Sequence, residues 1–127
     1  LNSPVVLART LNFHARPNVF FAGQLTGVEG YSESTATGII AAMNASHLLK
    51  GEPLVTLPTN CMLGALINYI TSANPKNFQP INSNWGIIDT PLNVAKMDKQ
   101  EKRLELRRIA LAALASLELE LSSPTVV

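Results

Sequence analysis

The hydrophobic pattern of the chain changes character several times, and each change marks an element. Val19, Phe20 and Phe21 form an uninterrupted apolar run, bounded by Pro17-Asn18 before it and Gly23 after it. Such a run predicts a short buried strand, of the kind found at the centre of a parallel sheet with both faces covered. Residues Leu11 to Pro17, which carry His14 and Arg16 and follow Arg9, read as a connector leading into it. Ala36, Ile40, Met43 and His47 then recur at helical spacing, and the spacing predicts a helix from about Tyr31 to Lys50, stopped by Gly51 and Pro53. Gly38, Ala41, Ala42 and Ala45 keep part of its surface thin enough for a close neighbour.

A second helix is expected to start at Pro58-Thr59, with Thr59 as N-cap, and to present Leu63, Leu66, Ile67 and Ile70 on one face before Asn74-Pro75 ends it. From Lys76 to Pro91 no period is sustained, which predicts an ordered loop with one short strand near Ile81 to Ile87. The last element has the clearest pattern. Asp98 caps it, Glu101 stands where a capping box needs an acid, and Leu106, Ile109, Ala110, Ala113, Leu117 and Leu121 form a core-facing stripe. Glu118 and Glu120 oppose the helix dipole, so fraying is expected before Ser122-Ser123-Pro124. One apolar strand cannot make a parallel sheet by itself, and the remaining sequence offers no evident partner.

Composition narrows the classes of function. The chain has 127 residues, 46% of them hydrophobic, which suits a folded domain. Its formal charge of +1 lacks the strongly basic footprint of a stand-alone nucleic-acid binder. The single cysteine, Cys61, excludes an internal disulfide and a multi-thiolate zinc site, and its apolar neighbours predict a buried thiol. No apolar stretch reaches the ~18 residues of a membrane span, and the chain reads as soluble. It opens on Leu1-Asn2-Ser3-Pro4 with no initiator Met, and polypeptide is expected to precede it.

Candidate chemistry concentrates between the strand and the first long helix. Gly23-Gln24-Leu25-Thr26-Gly27-Val28-Glu29-Gly30-Tyr31 places three glycines where main-chain amides and the positive end of a helix dipole converge, a setting that suits an anion or a flat ligand. The spacing matches neither the Walker loop nor the Gly-x-Gly-x-x-Gly fingerprint, and on spacing alone a tight turn explains the glycines as well. Glu29 and Glu33 are open to a ligand role or to simple dipole compensation. His14 and His47 have no partners at metal spacing and read as structural or surface residues; no metal site is expected. Lys96, Lys99, Lys102, Arg103, Arg107 and Arg108 form a basic cluster interleaved with Asp98, Glu101 and Glu105, which favours a solvated helix face over a phosphate contact. For Phe78 and Trp85, packing against the second helix is the more economical reading than stacking on a base or pterin.

The run Phe20-Phe21-Ala22-Gly23-Gln24-Leu25-Thr26-Gly27-Val28-Glu29-Gly30-Tyr31-Ser32-Glu33-Ser34 resembles the carboxy-terminal pattern of the folate- and FAD-dependent tRNA uracil-5 methyltransferases, the TrmFO family. Leu1 to Pro4, Gly64-Ala65-Leu66, Tyr69-Ile70-Thr71, Phe78 to Asn82 and Asn84-Trp85-Gly86 extend the resemblance over most of residues 1 to 91. A related flavoprotein that modifies wobble uridines shares the Ala-Gly-Gln run but diverges at Val28 to Tyr31, and is the alternative.

The resemblance implies a cytoplasmic enzyme that uses FAD, takes a one-carbon unit from methylenetetrahydrofolate, is reduced by NAD(P)H, and methylates the T-loop uridine of tRNA. It further implies an α/β architecture: residues 1–52 as the carboxy-terminal strand-helix piece of a Rossmann-like FAD-binding domain, and 53–127 as a mainly helical extension. Gly23, Gln24, Thr26, Gly27, Val28, Glu29, Gly30 and Tyr31 become the expected cofactor-binding residues. The family's glycine-rich pyrophosphate fingerprint and catalytic cysteines are absent, and Cys61 is not their equivalent. The isolated chain is therefore expected to hold no catalytic residue, to bind FAD weakly, and to self-associate through surfaces meant for missing polypeptide. A rival of another class is a stand-alone helical interaction module.

Overall fold

The computed structural model describes residues 1–123. Seven regular elements run in the order α1 (Ser3–Val6), β1 (Asn12–Phe13), β2 (Arg16–Phe20), α2 (Tyr31–Lys50), α3 (Met62–Ser72), α4 (Leu92–Ala95) and α5 (Lys99–Ser122), with 3-10 turns at Gly23–Thr26 and Trp85–Ile87. The result is mainly helical with one two-stranded sheet.

That sheet corrects the reading of the apolar run. β2 pairs antiparallel with β1, so residues 11 to 17 form a hairpin and not a plain connector, and the strand has a partner within the chain. Arg16, Pro17 and Asn18 are exposed while Val19 and Phe20 are half-buried, so this strand is not covered on both faces among the described residues. Leu11 enters the hairpin in a left-handed conformation (φ 67°) with its side chain wholly buried, and its carbonyl accepts from the Phe21 amide at 3.0 Å. Few non-glycine residues adopt that conformation, and here core burial of the side chain offsets its strain.

Helix α2 begins and ends where its spacing predicts. Gly51 closes it in the left-handed conformation, its amide donating to the Leu48 carbonyl, as a glycine C-cap should. The buried face, however, is Thr37, Ile40, Ala41 and Asn44, rotated from the expected stripe so that two polar residues turn inward. Each is satisfied. The Thr37 hydroxyl accepts from the Gly23 amide at 3.0 Å and donates to the Ser34 carbonyl. Asn44 donates to the Thr10 and Val55 carbonyls and accepts from the Val55 amide, fastening two irregular segments to the helix.

Helix α3 presents Leu66, Ile67 and Ile70 to the core as expected, with Leu63 half-buried beside them. Its cap is Cys61 rather than Thr59. The Cys61 sulfur accepts from the Gly64 amide at 3.3 Å and donates to the Pro58 carbonyl at 3.1 Å, while the Thr59 hydroxyl turns to Asp89. The main cluster joins Leu11, Val28, Ile40, Ala41, Leu66, Ile67 and Ile70. A second joins Ala65, Ile88, Val94 and Leu106, bringing α4 and α5 against α3.

The segment from 76 to 91 is ordered but holds no strand. Val28 and Ile81 form a single parallel bridge, and Trp85–Ile87 is a 3-10 turn. Asp98 caps α5 by accepting from the amides of Gln100 and Glu101, whereas the return contact expected of the Glu101 side chain is not made among the described residues. Of the expected α5 stripe, Leu106 is buried and Ile109, Ala110, Ala113 and Leu117 are half-buried; Leu121 is exposed. The helix ends at Ser122, next to the end expected near Leu121, and Pro124 lies outside the described residues.

Candidate functional site

The turn from Gly23 to Tyr31 is held from below. The Thr26 hydroxyl donates to the Gly23 carbonyl, the buried Ser3 hydroxyl donates to the Thr26 carbonyl, and the Val28–Ile81 bridge is made by Ile81 N–H to Gly27 O and Glu29 N–H to Ile81 O. Thr26, Gly27 and Val28 consequently face inward and are buried, while Gln24, Glu29 and Tyr31 are exposed and Gly23 and Gly30 half-buried. The eight expected residues are thus one continuous turn with two faces.

Its glycines are used differently. Gly27 has φ 95°, and a Cβ there would lie 2.6 Å from the Phe78 ring. Gly27 serves the packing of the turn against Phe78, which itself lies against Tyr69 of α3 with ring centroids 5.9 Å apart, as the packing reading of Phe78 predicts. Gly30 has an ordinary extended conformation, but the space a side chain would take is filled by the carboxylate of Glu33.

Gly30 is the N-cap of α2 and offers no side chain to the first-turn amides. Glu33, in that first turn, accepts a short hydrogen bond from the Ser83 hydroxyl. The Ser83 hydroxyl, followed by Glu33's own main-chain amide, holds this carboxyl below the ordinary carboxylate range. A negative charge therefore already sits at the positive end of α2. What this end offers a ligand is the exposed residues Gln24, Leu25, Tyr31 and Ser32 and an adjoining concavity of about 380 Å³ lined by Ser32, Glu33, Ala36, Met62, Leu63 and Ser83. Sequence spacing did not bring Met62, Leu63 or Ser83 to this place; only the folding of α3 and the following loop against α2 does.

The other residues singled out by sequence lie apart from this turn. His14 is exposed in the hairpin, and His47 closes the end of α2, its Nδ1 lying 2.9 Å from the Pro53 carbonyl and its Nε2 3.8 Å from Glu52. No group of three or more His, Cys, Asp or Glu suited to a metal ion occurs among the described residues. No described helix is long and apolar enough to cross a membrane. Cys61 is buried, as expected. Trp85 departs from the packing reading: it is 43% exposed, with the Arg103 guanidinium 5.5 Å from its ring centroid. Arg108 pairs with Glu105 at 2.6 Å, which lowers the carboxyl and raises the guanidinium.

Comparison with known proteins places this chain beside a broad family and, more narrowly, beside one group of enzymes. Residues 1–53 match the model of the family described as Glucose inhibited division protein A. Over a longer stretch the chain is similar to proteins named Methylenetetrahydrofolate--tRNA-(uracil-5-)-methyltransferase TrmFO. That of Bacillus pumilus is 45% identical over 117 residues, covering 92% of this chain and 27% of the relative. That of Bacillus cytotoxicus is 51% identical over 102 residues, 80% of this chain and 23% of the relative. That of Caldicellulosiruptor bescii is 50% identical over 103 residues, 81% and 23%. The chain matches the carboxy-terminal part of the TrmFO proteins and spans about a quarter of the length of the curated relatives it matches.

Proposed function

We propose that this chain is the carboxy-terminal part of a flavoprotein that transfers a one-carbon unit from methylenetetrahydrofolate to C5 of a uracil in tRNA. The observation that carries the reading is the identity of 45–51% to proteins of that printed activity over 80–92% of this chain. In the whole protein the carbon would go to the T-loop uridine, NAD(P)H would be the reductant, and the location would be cytoplasmic, as the family resemblance implies.

FAD is the implied cofactor, and the turn suits one edge of it. Main chain at Gly23, Gln24, Gly30 and Tyr31, together with exposed Glu29, would meet the flavin ring, while Thr26, Gly27 and Val28 would fix the shape of the turn from beneath. Because Glu33 is ionised beside Gly30, contact with the ring edge would rest on neutral main-chain hydrogen bonds more than on the helix dipole. FAD when bound supplies the redox chemistry; the residues of this chain orient and shield its ring.

The architectural division proposed is 1–52 as the end of a Rossmann-like FAD-binding domain and 53–127 as a helical extension. The family match ending at residue 53 supports that boundary. Tyr31, Thr35, Ile39, Ala42 and Leu49 form an exposed face along α2, with Tyr31 87% and Ile39 63% exposed. Such a face suits cover by the sheet of the longer protein, and self-association of the isolated chain would hide it.

Substitution Gly30→Leu in the full-length flavoprotein tests the assignment. A Cβ at this position meets the Glu33 carboxylate, the end of a flexible side chain that would have to swing off Ser83, and the leucine side chain would then stand over the main chain at the head of α2. Flavin absorbance per protein should fall, and unchanged occupancy would overturn the cofactor role of the turn. Methyl incorporation at C5 of tRNA uracil by the unmodified protein tests the activity separately.

A further inference from the structure

In sequence, the cations of α5 alternate with carboxylates, which reads as a solvated face. On the folded helix the two charges separate. Lys99, Lys102, Arg103 and Leu106 stand at i, i+3, i+4 and i+7 and share one side, where with Trp85 they line a concavity of about 160 Å³. Glu101, Glu105 and Arg108 line a different concavity with Met97 and Leu104. Asp98 is engaged by the amides of Gln100 and Glu101, and Glu105 by Arg108, so these two carboxylates are already paired. No carboxylate lines the concavity at Trp85.

The arrangement combines three features of a contact for nucleic-acid backbone. Buried Leu106 contributes an apolar surface, and Lys99 and Lys102 contribute two cations to the lining. The Arg103 guanidinium lies over the Trp85 ring, 5.5 Å from its centroid, and a guanidinium so placed has N–H groups suited to bidentate contact with phosphate. Trp85, 43% exposed, also leaves aromatic surface on which a base or ribose can lie. A salt bridge network would need carboxylates here, and none lines the concavity.

We propose that the Trp85–Arg103 pair, flanked by Lys99 and Lys102, is a contact point for the phosphodiester backbone of the RNA substrate. The proposal rests on the reading of the longer protein as a tRNA methyltransferase and adds the place on this chain where that RNA is held. It requires neither flavin nor folate, which allows it to be tested apart from the cofactor assignment.

Trp85 is the sole tryptophan of the chain, so its fluorescence reports on this site directly. The 127-residue chain is titrated with a T-arm RNA hairpin at several salt concentrations. Expected is a saturable change in Trp85 emission whose affinity falls with salt, a tenfold or greater loss of affinity in Lys102→Glu and Arg103→Glu, and a salt slope about one unit shallower in Lys102→Ala. Lys50→Glu, a charge reversal at the exposed end of α2, should bind like the parent. An absent emission change, unaltered binding in the α5 variants, or an equal loss in Lys50→Glu overturns the proposal. Displacement of the hairpin by poly-γ-glutamate of the same charge overturns it in favour of a site for the anionic tail of a folate. Gly30→Leu should leave RNA binding intact, so a failure here and a failure of the flavin assignment are told apart.

Discussion

Asn44 and Val55 exchange two hydrogen bonds inside the protein, Val55 N–H to Asn44 Oδ1 at 2.7 Å and Asn44 Nδ2 to Val55 O at 2.9 Å. The side-chain amide thereby pairs with a peptide unit as a neighbouring strand would, and its second N–H reaches the Thr10 carbonyl. Asn44 is completely buried, so Asn44→Ala leaves one donor and two acceptors without partners in a place water reaches poorly. Urea denaturation should show a loss of roughly 2–4 kcal/mol. A loss below about 0.5 kcal/mol would mean the segments at Thr10 and Val55 are held by something else.

This residue also shows where sequence reading stops. Helical period placed the ends of α2, the apolar face of α3 and the Asp98 cap, because each depends on residues close in sequence. The buried face of α2 was displaced because Thr37 and Asn44 look like surface residues until the segments they bond are folded over them. The hairpin was missed because β1 is only two residues long, Asn12–Phe13, too short for a period. At the candidate site, the Gly23–Tyr31 turn was legible and its closure by Ser83, Met62 and Leu63 was not, since those contacts span tens of residues. The charge separation on α5 is geometric, and a linear reading of alternating signs conceals it.

Glu33 should make the protein sensitive to acid. The Ser83 hydroxyl and the Glu33 amide favour its ionised form, so the folded-state pKa lies below the unfolded value of about 4.3. Its contribution to stability is full above that value and is lost as pH falls through the lower folded one. Asp98 follows the same sign, its carboxyl held down by the amides of Gln100 and then Glu101. Ser83→Ala should raise the Glu33 pKa toward the ordinary value, as followed by carboxyl carbon NMR. Identical titration of Glu33 in the two proteins would contradict the contact.

Cys61 is expected to behave as a cap and not as a reagent. The residue is 5% exposed and its thiol is engaged with Pro58 and Gly64, so modification by a soluble disulfide reagent should be slow unless the protein is unfolded. Cys61→Ala removes the N-cap acceptor of α3 and should cost about 1 kcal/mol, while Cys61→Ser, which retains an acceptor, should cost less. Equal melting temperatures for the two variants would show that the sulfur's bonds contribute nothing.

Two helical glycines should respond to alanine with opposite signs. A Cβ on Gly64 would lie 2.0 Å from the Pro58 carbonyl oxygen, a main-chain atom that cannot swing aside, so Gly64→Ala must push the Pro58–Cys61 turn off α3. A loss of about 1–3 kcal/mol is expected, as for other overpacked sites. A Cβ on Gly38 would meet nothing within 4 Å, and alanine in the middle of α2 should stabilise the isolated chain by about 0.5–1 kcal/mol through the lower entropy of its unfolded state. The second result bears on the longer protein. Gly38 neighbours Ile39 and Ala42 on the side of α2 that this chain leaves uncovered, so a sheet packed closely there would have no room for the added methyl. Gly38→Ala should then stabilise the 127-residue chain and fail to stabilise, or destabilise, the full-length protein, as judged by paired thermal melts. The same gain in both would mean that α2 faces solvent in the longer protein as well, and would overturn the proposal that a sheet covers it.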